Sequence, residues 1–295
     1  MSALTIDVAP EHAWRARAAA HRELVDTLIA PYLEHRAAGT KHPVIDFLFT
    51  YYGHKPAQLR RWHPGYGVAL ENATEYENSR GYLRVDSGPT VAWTADPAFL
   101  DRRRDTVAFV ANLLRATASR PTHLSCFGLH EWAMVYRTDD VRHQQVPLRL
   151  GHTGTDAVVE SMPLRCTHFD AFRFFTPEAA PRNTEPLTRD DQLDREQPGC
   201  LHANMDLYKW VMKLVPLLDS ELMLSCFELA RDARELDMRA SPYDLTAYGY
   251  EQIKIETPAG RADYVRAQSD IATRGAVLRT AVLDRCRTLL SAHPR

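Results

Sequence analysis

The chain is expected to fold as α+β, mainly α-helical with short β-hairpins. Three observations predict this. Apolar residues recur at helical spacing in long runs: Trp14, Ala18, His21, Val25 and Leu28 in one, Leu222, Cys226, Leu229, Ala233 and Leu236 in another. Strand-like alternation is confined to short pieces beside turn residues. With 45% hydrophobic and 25% charged residues over 295 positions, the chain can bury a substantial core. One compact domain over residues 1–295 is the expected organisation, since no repeat of solenoid period is visible.

The first helix is predicted over Pro10–Arg36. Pro31 should kink or end it near Ala30, because proline lacks an N–H and crowds the preceding turn. Val44–Tyr52 is aromatic and apolar and opens a ring-rich region from Phe47 to Trp93. Within it Arg60, Arg61, Trp62 and Tyr66 mix cations with flat side chains. That mixture suits a stacked base or a phosphate, and equally the rim of an aromatic core. Tyr82–Asp86 and Thr90–Thr94 flank a turn as a hairpin. Asp96-Pro97 opens a helix to about Thr117, with Thr94 or Asp96 as its cap.

A helix is predicted over Thr122–Tyr136. Val146–Leu150 and Asp156–Glu160 read as a second hairpin. Pro163–Phe175 fits a strand or a helix. Residues 176–199 hold four prolines and many charges, and are expected to form a loop or lid with little to bury. Cys200–Asp237 reads as two helices around Pro216, the second capped by Asp219 or Ser220. Gln252–Glu256 reads as a short strand, and Thr257-Pro258 starts a final helix to about Leu290.

Net charge is −2 and the pI about 6.7. That balance argues against a duplex-DNA binder, which is usually basic. Five cysteines without a C-x-x-C pair do not make a disulfide framework. No leader-like N-terminus and no run of about 18 apolar residues is present, so a cytoplasmic protein without a membrane partner is expected.

Three separated segments share one composition: Cys126, His130 and Glu131; Cys166, His168 and Asp170; Cys200, His202 and Asp206. Each sets a thiol, an imidazole and a carboxylate among apolar and aromatic residues. Polar groups in such runs cost free energy unless paired, so the segments are expected to meet at one site. His202 and Asp206, four apart, lie on one helix face. A solvated face with Lys209 and Lys213 would explain that pair as well. Two chemistries fit. His130, His168, His202 and Asp206 could hold a divalent metal with positions open for substrate. Without metal, Asp170 or Asp206 could act as base and His168 or His202 as proton donor or leaving-group partner.

The runs C-F-G-L-H-E-W-A-M-V-Y, T-H-F-D-A-F-R-F-F-T, G-C-L-H-A-N-M-D-L-Y-K-W and E-L-D-M-R-A-S-P-Y-D-L resemble an actinobacterial family labelled 3-methyladenine DNA glycosylase-like, over most of Leu124–Val265. The resemblance implies hydrolysis of an N-glycosidic bond, with base flipping if the substrate is DNA. The chain lacks the L-P-G-V-G hairpin of helix-hairpin-helix glycosylases, so no catalytic residue is carried over. A nucleoside, nucleotide or modified base is therefore the expected substrate.

The expected function is an N-glycosidic hydrolase with no particular cofactor favoured and a divalent metal open, with a metal-dependent hydrolase or oxygenase as the alternative and a non-catalytic ligand-binding protein as the third reading. His168, Asp170, His202, Asp206, His130 and Glu131 are the catalytic candidates. Arg60, Arg61, Trp62, Tyr66 and Lys209 are the substrate-binding candidates.

Overall fold

The computed structural model describes residues 6–88, 90–141 and 143–292. Strand β1 (Asp7–Ala9) leads into α1 (Glu11–Ala37), whose apolar stripe buries Trp14, His21, Val25, Ile29 and Tyr32. Pro31 does not end this helix. It lies on the exposed face, where water can satisfy the carbonyl that its missing N–H leaves free. Two short helices follow, α2 (Phe47–Thr50) and α3 (Pro56–Arg60).

Strands β2 (Val68–Glu71), β3 (Tyr82–Ser87) and β4 (Thr90–Ala95) complete a four-stranded sheet of order β1-β2-β4-β3. The predicted hairpin is present, with Leu83 opposite Thr94 and Val85 opposite Ala92. β1 adds to β2 in parallel. An aromatic cluster of Trp14, Trp62, Tyr76, Tyr82 and Trp93 fills the space between the sheet and α1.

Helix α4 (Pro97–Ala118) starts at Asp96, whose side chain accepts from the Ala98 N–H at 2.8 Å. The helix predicted over Thr122–Tyr136 shrinks to α5 (Leu129–Ala133). Phe127 and Gly128 both have positive φ, at 51° and 69°, which α-helix does not accept. The second predicted hairpin is absent. Its later half lies in a helix, α6 (Gly151–Ser161), burying Thr155, Val158 and Val159 at helical spacing, while Leu148 forms an isolated bridge with Tyr243. Gln252–Glu256 is likewise not a strand.

The ambiguous segment resolves into one turn of helix, α7 (Phe169–Phe172). Residues 176–199 contain two short 3-10 turns and α8 (Gln192–Arg195). They bury more than expected, including Leu187, Glu196 and Gln197. The two helices around Pro216 are α9 (Leu201–Leu214) and α10 (Ser220–Arg239), and the second is capped by Asp219, which accepts from the Leu222 N–H at 2.9 Å. Helix α11 (Pro258–Ala292) runs across both. Helices α4, α9, α10 and α11 pack against one another and contribute most of the main core. No helix among the described residues is long and apolar enough to cross a membrane.

Two positions show how tightly this bundle closes. A Cβ at Gly275 of α11 would lie 2.0 Å from Asn204 Oδ1 of α9. Arg279, one turn on, donates to the same Asn204 oxygen at 2.6 Å. Asn204 Nδ2 in turn donates to Pro198 O and Cys200 O, both at 2.9 Å. The turn before α9 is therefore fixed from two helices.

Candidate metal centre

The three thiol–imidazole–acid segments meet. His130 comes from α5, His168 caps α7, and His202 starts α9. The His130 and His202 rings are 4.6 Å apart between centroids and nearly perpendicular, and the His202 and His168 rings are 5.3 Å apart. All three imidazoles are buried. Local sequence explains the placement of His130. The left-handed turn at Phe127-Gly128 aims α5 inward, and the Trp132 indole N–H donates to Ala240 O at 2.9 Å, tying α5 to the end of α10.

Carboxylates close the row at each end. His130 Nε2 is 2.8 Å from Asp237 Oδ1. His168 Nε2 is 3.3 Å from Glu196 Oε1 and 3.4 Å from Asp206 Oδ2. Two groups of donors result, His130/His202/Asp237 and His168/Glu196/Asp206, each with its donor atoms within 4.8 Å of one another. The sequence candidates His130, His168, His202 and Asp206 are divided between them. Asp237 and Glu196 were not foreseen.

None of these imidazole–carboxylate contacts is aligned as a hydrogen bond. His130 Nε2, Asp237 Oδ1 and both His168 nitrogens are buried without a hydrogen-bond partner. Buried polar atoms are otherwise almost always satisfied. Donors to one metal ion sit at such spacings without facing each other: with bonds of about 2.1 Å, neighbours are about 3.0 Å apart at right angles and about 3.4 Å apart in a tetrahedron. The chemistry of the donors fits a divalent transition metal, and two His with one carboxylate leave coordination positions free.

The surroundings hold the donors in place. Cys126 Sγ lies 3.6 Å from His130 Nδ1 and so occupies the far side of that ring. Tyr52 donates to Asp206 Oδ1 at 2.9 Å, and Lys209 Nζ donates to Asp206 Oδ2 at 2.7 Å and Asp170 Oδ2 at 3.0 Å. Arg234 pairs with Glu131 at 2.7 Å and reaches Asp237 Oδ2 at 3.3 Å. It also stacks on Phe47, with its guanidinium carbon 4.0 Å from the ring centroid. These are outer partners that orient the donors.

Charge explains the proton affinities. Burial opposes a charge on His130, but Asp237 beside it prevails and raises its pKa well above the usual value. Burial opposes a charge on His168 too, and Glu196 and Asp206 outweigh it. His202 is pushed well below by burial and by His130. Burial raises Glu196, whereas Lys209 and His168 overcome burial at Asp206 and hold it below the usual range. Asp170 meets Arg173 and Arg189 from outside at 3.4 and 3.5 Å. Of the remaining buried acids, Glu131, Glu196, Asp206 and Asp237 face two permanent cations, Lys209 and Arg234. The buried cluster is thus richer in acids than in permanent cations, an excess that histidine protons or a divalent ion can match.

The other candidates stand apart from the donors. Glu131 and Asp170 are engaged by Arg234 and Lys209 rather than grouped with the imidazoles. Lys209 is held between two carboxylates. His202 and Asp206 do not form a solvated face, for both are buried. Arg60 pairs with Asp26 at 2.5 Å. Arg61 donates to Glu75 O at 2.7 Å and stacks on Tyr76. The buried Trp62 donates to Glu221 at 3.1 Å, and the Tyr66 N–H donates to Leu217 O at 3.0 Å. None of these four lines the cavities that reach the imidazoles.

His202 separates two such cavities, each about 420 Å³. His130 and His202 form part of the first, with Cys126, Cys166 and Cys200. The second passes Glu131, Asp170 and Arg234. Compared with protein-family models, with curated proteins and with solved structures, the chain matches none.

Proposed function

We propose that this chain is a metal-dependent enzyme, a hydrolase or an oxygenase, whose reacting centre is His130/His202/Asp237, with His168/Glu196/Asp206 beside it. One observation carries the reading. Histidine nitrogens and carboxylate oxygens lie 2.8, 3.3 and 3.4 Å apart, buried and without hydrogen-bond alignment. A bound divalent ion would supply Lewis acidity and lower the pKa of a water at its open position. The chain's own residues do the rest. His130, held from behind by Cys126, and Asp237, held by Arg234, offer fixed donors. His202 offers a nitrogen that burial keeps neutral. Lys209 and Tyr52 keep Asp206 ionised and still. At Glu196, unlike Glu131, Asp170 and Asp206, burial outweighs the neighbouring cations and the net shift is upward, towards the range a proton-exchanging group needs.

Cleavage of an N-glycosidic bond fits this chemistry when water is the nucleophile. The metal-free version with Asp170 or Asp206 as base draws less support. Lys209 overcomes burial and holds both as weakly basic carboxylates, whereas a general base works best with a pKa near the working pH.

The test is uptake of Mn2+, Fe2+ and Zn2+ by chelator-treated protein, followed by calorimetry and metal analysis. We expect uptake of at least one ion per chain, and a 10–100-fold or greater loss of affinity in His130→Ala and Asp237→Asn, in the range of lost metal partners. Absence of uptake of all three ions by folded protein would overturn the reading.

A further inference from the structure

Resting on that reading, we infer that the substrate is a small organic anion with an apolar body, whose charged head is held by Arg165 at the mouth of the first cavity. The cavity is graded. Its floor is formed by buried His130 and His202. Its walls carry Cys166, Leu187, Leu201 and Tyr264, all buried and largely apolar. Its rim is exposed and charged, with Arg165, Glu185 and Arg195.

The rim charges are unequal in commitment. Arg195 is bound to Glu185 at 2.5 Å. Arg165 has no carboxylate partner among the described residues, and its one polar contact is the Ser125 hydroxyl at 3.4 Å. Ser125 and Thr167 line the same cavity, and the Thr167 hydroxyl makes no hydrogen bond among the described residues. One uncommitted guanidinium with two hydroxyls beside it forms a receptor for a carboxylate or a phosphate, which arginine binds through two parallel N–H donors. Pockets of this kind take an apolar body along the walls and fix its orientation with a few polar groups. A ligand anchored at Arg165 would then present its other end to His130 and His202.

The experiment titrates octanoate, octyl phosphate and octan-1-ol into the full chain by calorimetry, once with Zn2+ present and once after chelation. Both anions share the receptor chemistry, and their ranking tells which head group it prefers. We expect at least one anion to bind about fivefold or more tighter than the alcohol, as a charge-assisted pair at a partly exposed site allows. Arg165→Gln should bring that anion to the level of the alcohol, and Arg165→Lys should keep part of the preference. Arg165 is exposed, and unchanged circular dichroism would show that its variants fold. Equal binding of all three ligands, no binding of any, or an undiminished preference in Arg165→Gln would overturn the inference. Metal uptake with no anion preference would sink this inference alone. An Arg165-dependent preference in protein that takes up no metal would sink the proposed function and leave the anion site standing.

Discussion

At the scale of single residues, Glu131 shows how charge rather than burial decides a proton. Burial alone would raise its pKa, but Arg234 and His130 outweigh burial and hold the carboxyl at about 2, against 4.5 unperturbed. The folded chain then binds fewer protons than the unfolded one between those values. The stabilisation is complete above pH 4.5 and is lost as pH falls towards 2. Glu131→Gln should therefore lower stability by about 2 kcal/mol at pH 6, short of the full cost of stripping a buried charge of its partner, because Arg234 keeps Asp237 Oδ2 at 3.3 Å. The deficit should shrink as pH falls from 4.5 to 3. Urea unfolding of both proteins at pH 6, 4 and 3 checks this. A deficit that is constant with pH would show that shape, not charge, is what Glu131 supplies.

At the scale of elements, α9 is positioned by the close approach of α11 at Gly275. In an isolated helix, alanine is favoured over glycine by about 1 kcal/mol. Here the added Cβ would lie 2.0 Å from Asn204 Oδ1, so packing reverses the sign. Gly275→Ala should cost about 1–3 kcal/mol net, as overpacking does, and should weaken metal uptake, because Asn204 fixes the start of α9 and with it His202 and Asp206. Thermal unfolding together with calorimetric metal titration would detect both. A variant as stable as the parent would mean that the two helices can part freely. The elements themselves were legible in the sequence where period and punctuation agreed. The stripe of α10, the Asp96-Pro97 start of α4 and the β3–β4 hairpin are of that kind. The misreadings came where tertiary contacts override local pattern. Val158 and Val159 look strand-like, yet α6 buries them as a helical pair. The left-handed Phe127-Gly128 turn, which cuts the helix predicted over Thr122–Tyr136, is set by packing: a Cβ on Gly128 would come within 3.3 Å of Ala240.

At the scale of the whole molecule, the donors come from five places: α5, the cap of α7, the end of α8, α9 and α10. Four of the six donors were legible, because His130, His168, His202 and Asp206 are polar residues in apolar runs and had to be paired. Asp237 carried a fainter signal, as the polar continuation of the buried line Cys226, Ala230 and Ala233 on α10. Glu196 carried none. It sits in a charged, proline-rich segment without period, and it is held inward by contacts that segment does not announce: Arg120 of α4 donates to its carbonyl at 2.7 Å and Gln192 to its Oε1 at 2.6 Å. A centre assembled from such distant segments couples metal binding to folding and to protons. Against burial, Asp237 raises the proton affinity of His130, and Glu196 and Asp206 raise that of His168, so a metal must compete with protons at both rings. Affinity should therefore fall as pH is lowered from 8 to 6, and binding should release protons, seen as a heat that varies with the ionisation enthalpy of the buffer. By mass action, metal at 100 times its Kd should add about 2.7 kcal/mol to stability, equivalent to a rise of several degrees in Tm for a chain of this size. Chelator should reverse that rise. Loss of both the pH dependence and the Tm shift in His130→Ala/His168→Ala would assign the effect to these imidazoles. An unchanged shift in that variant would place the bound metal elsewhere on the chain.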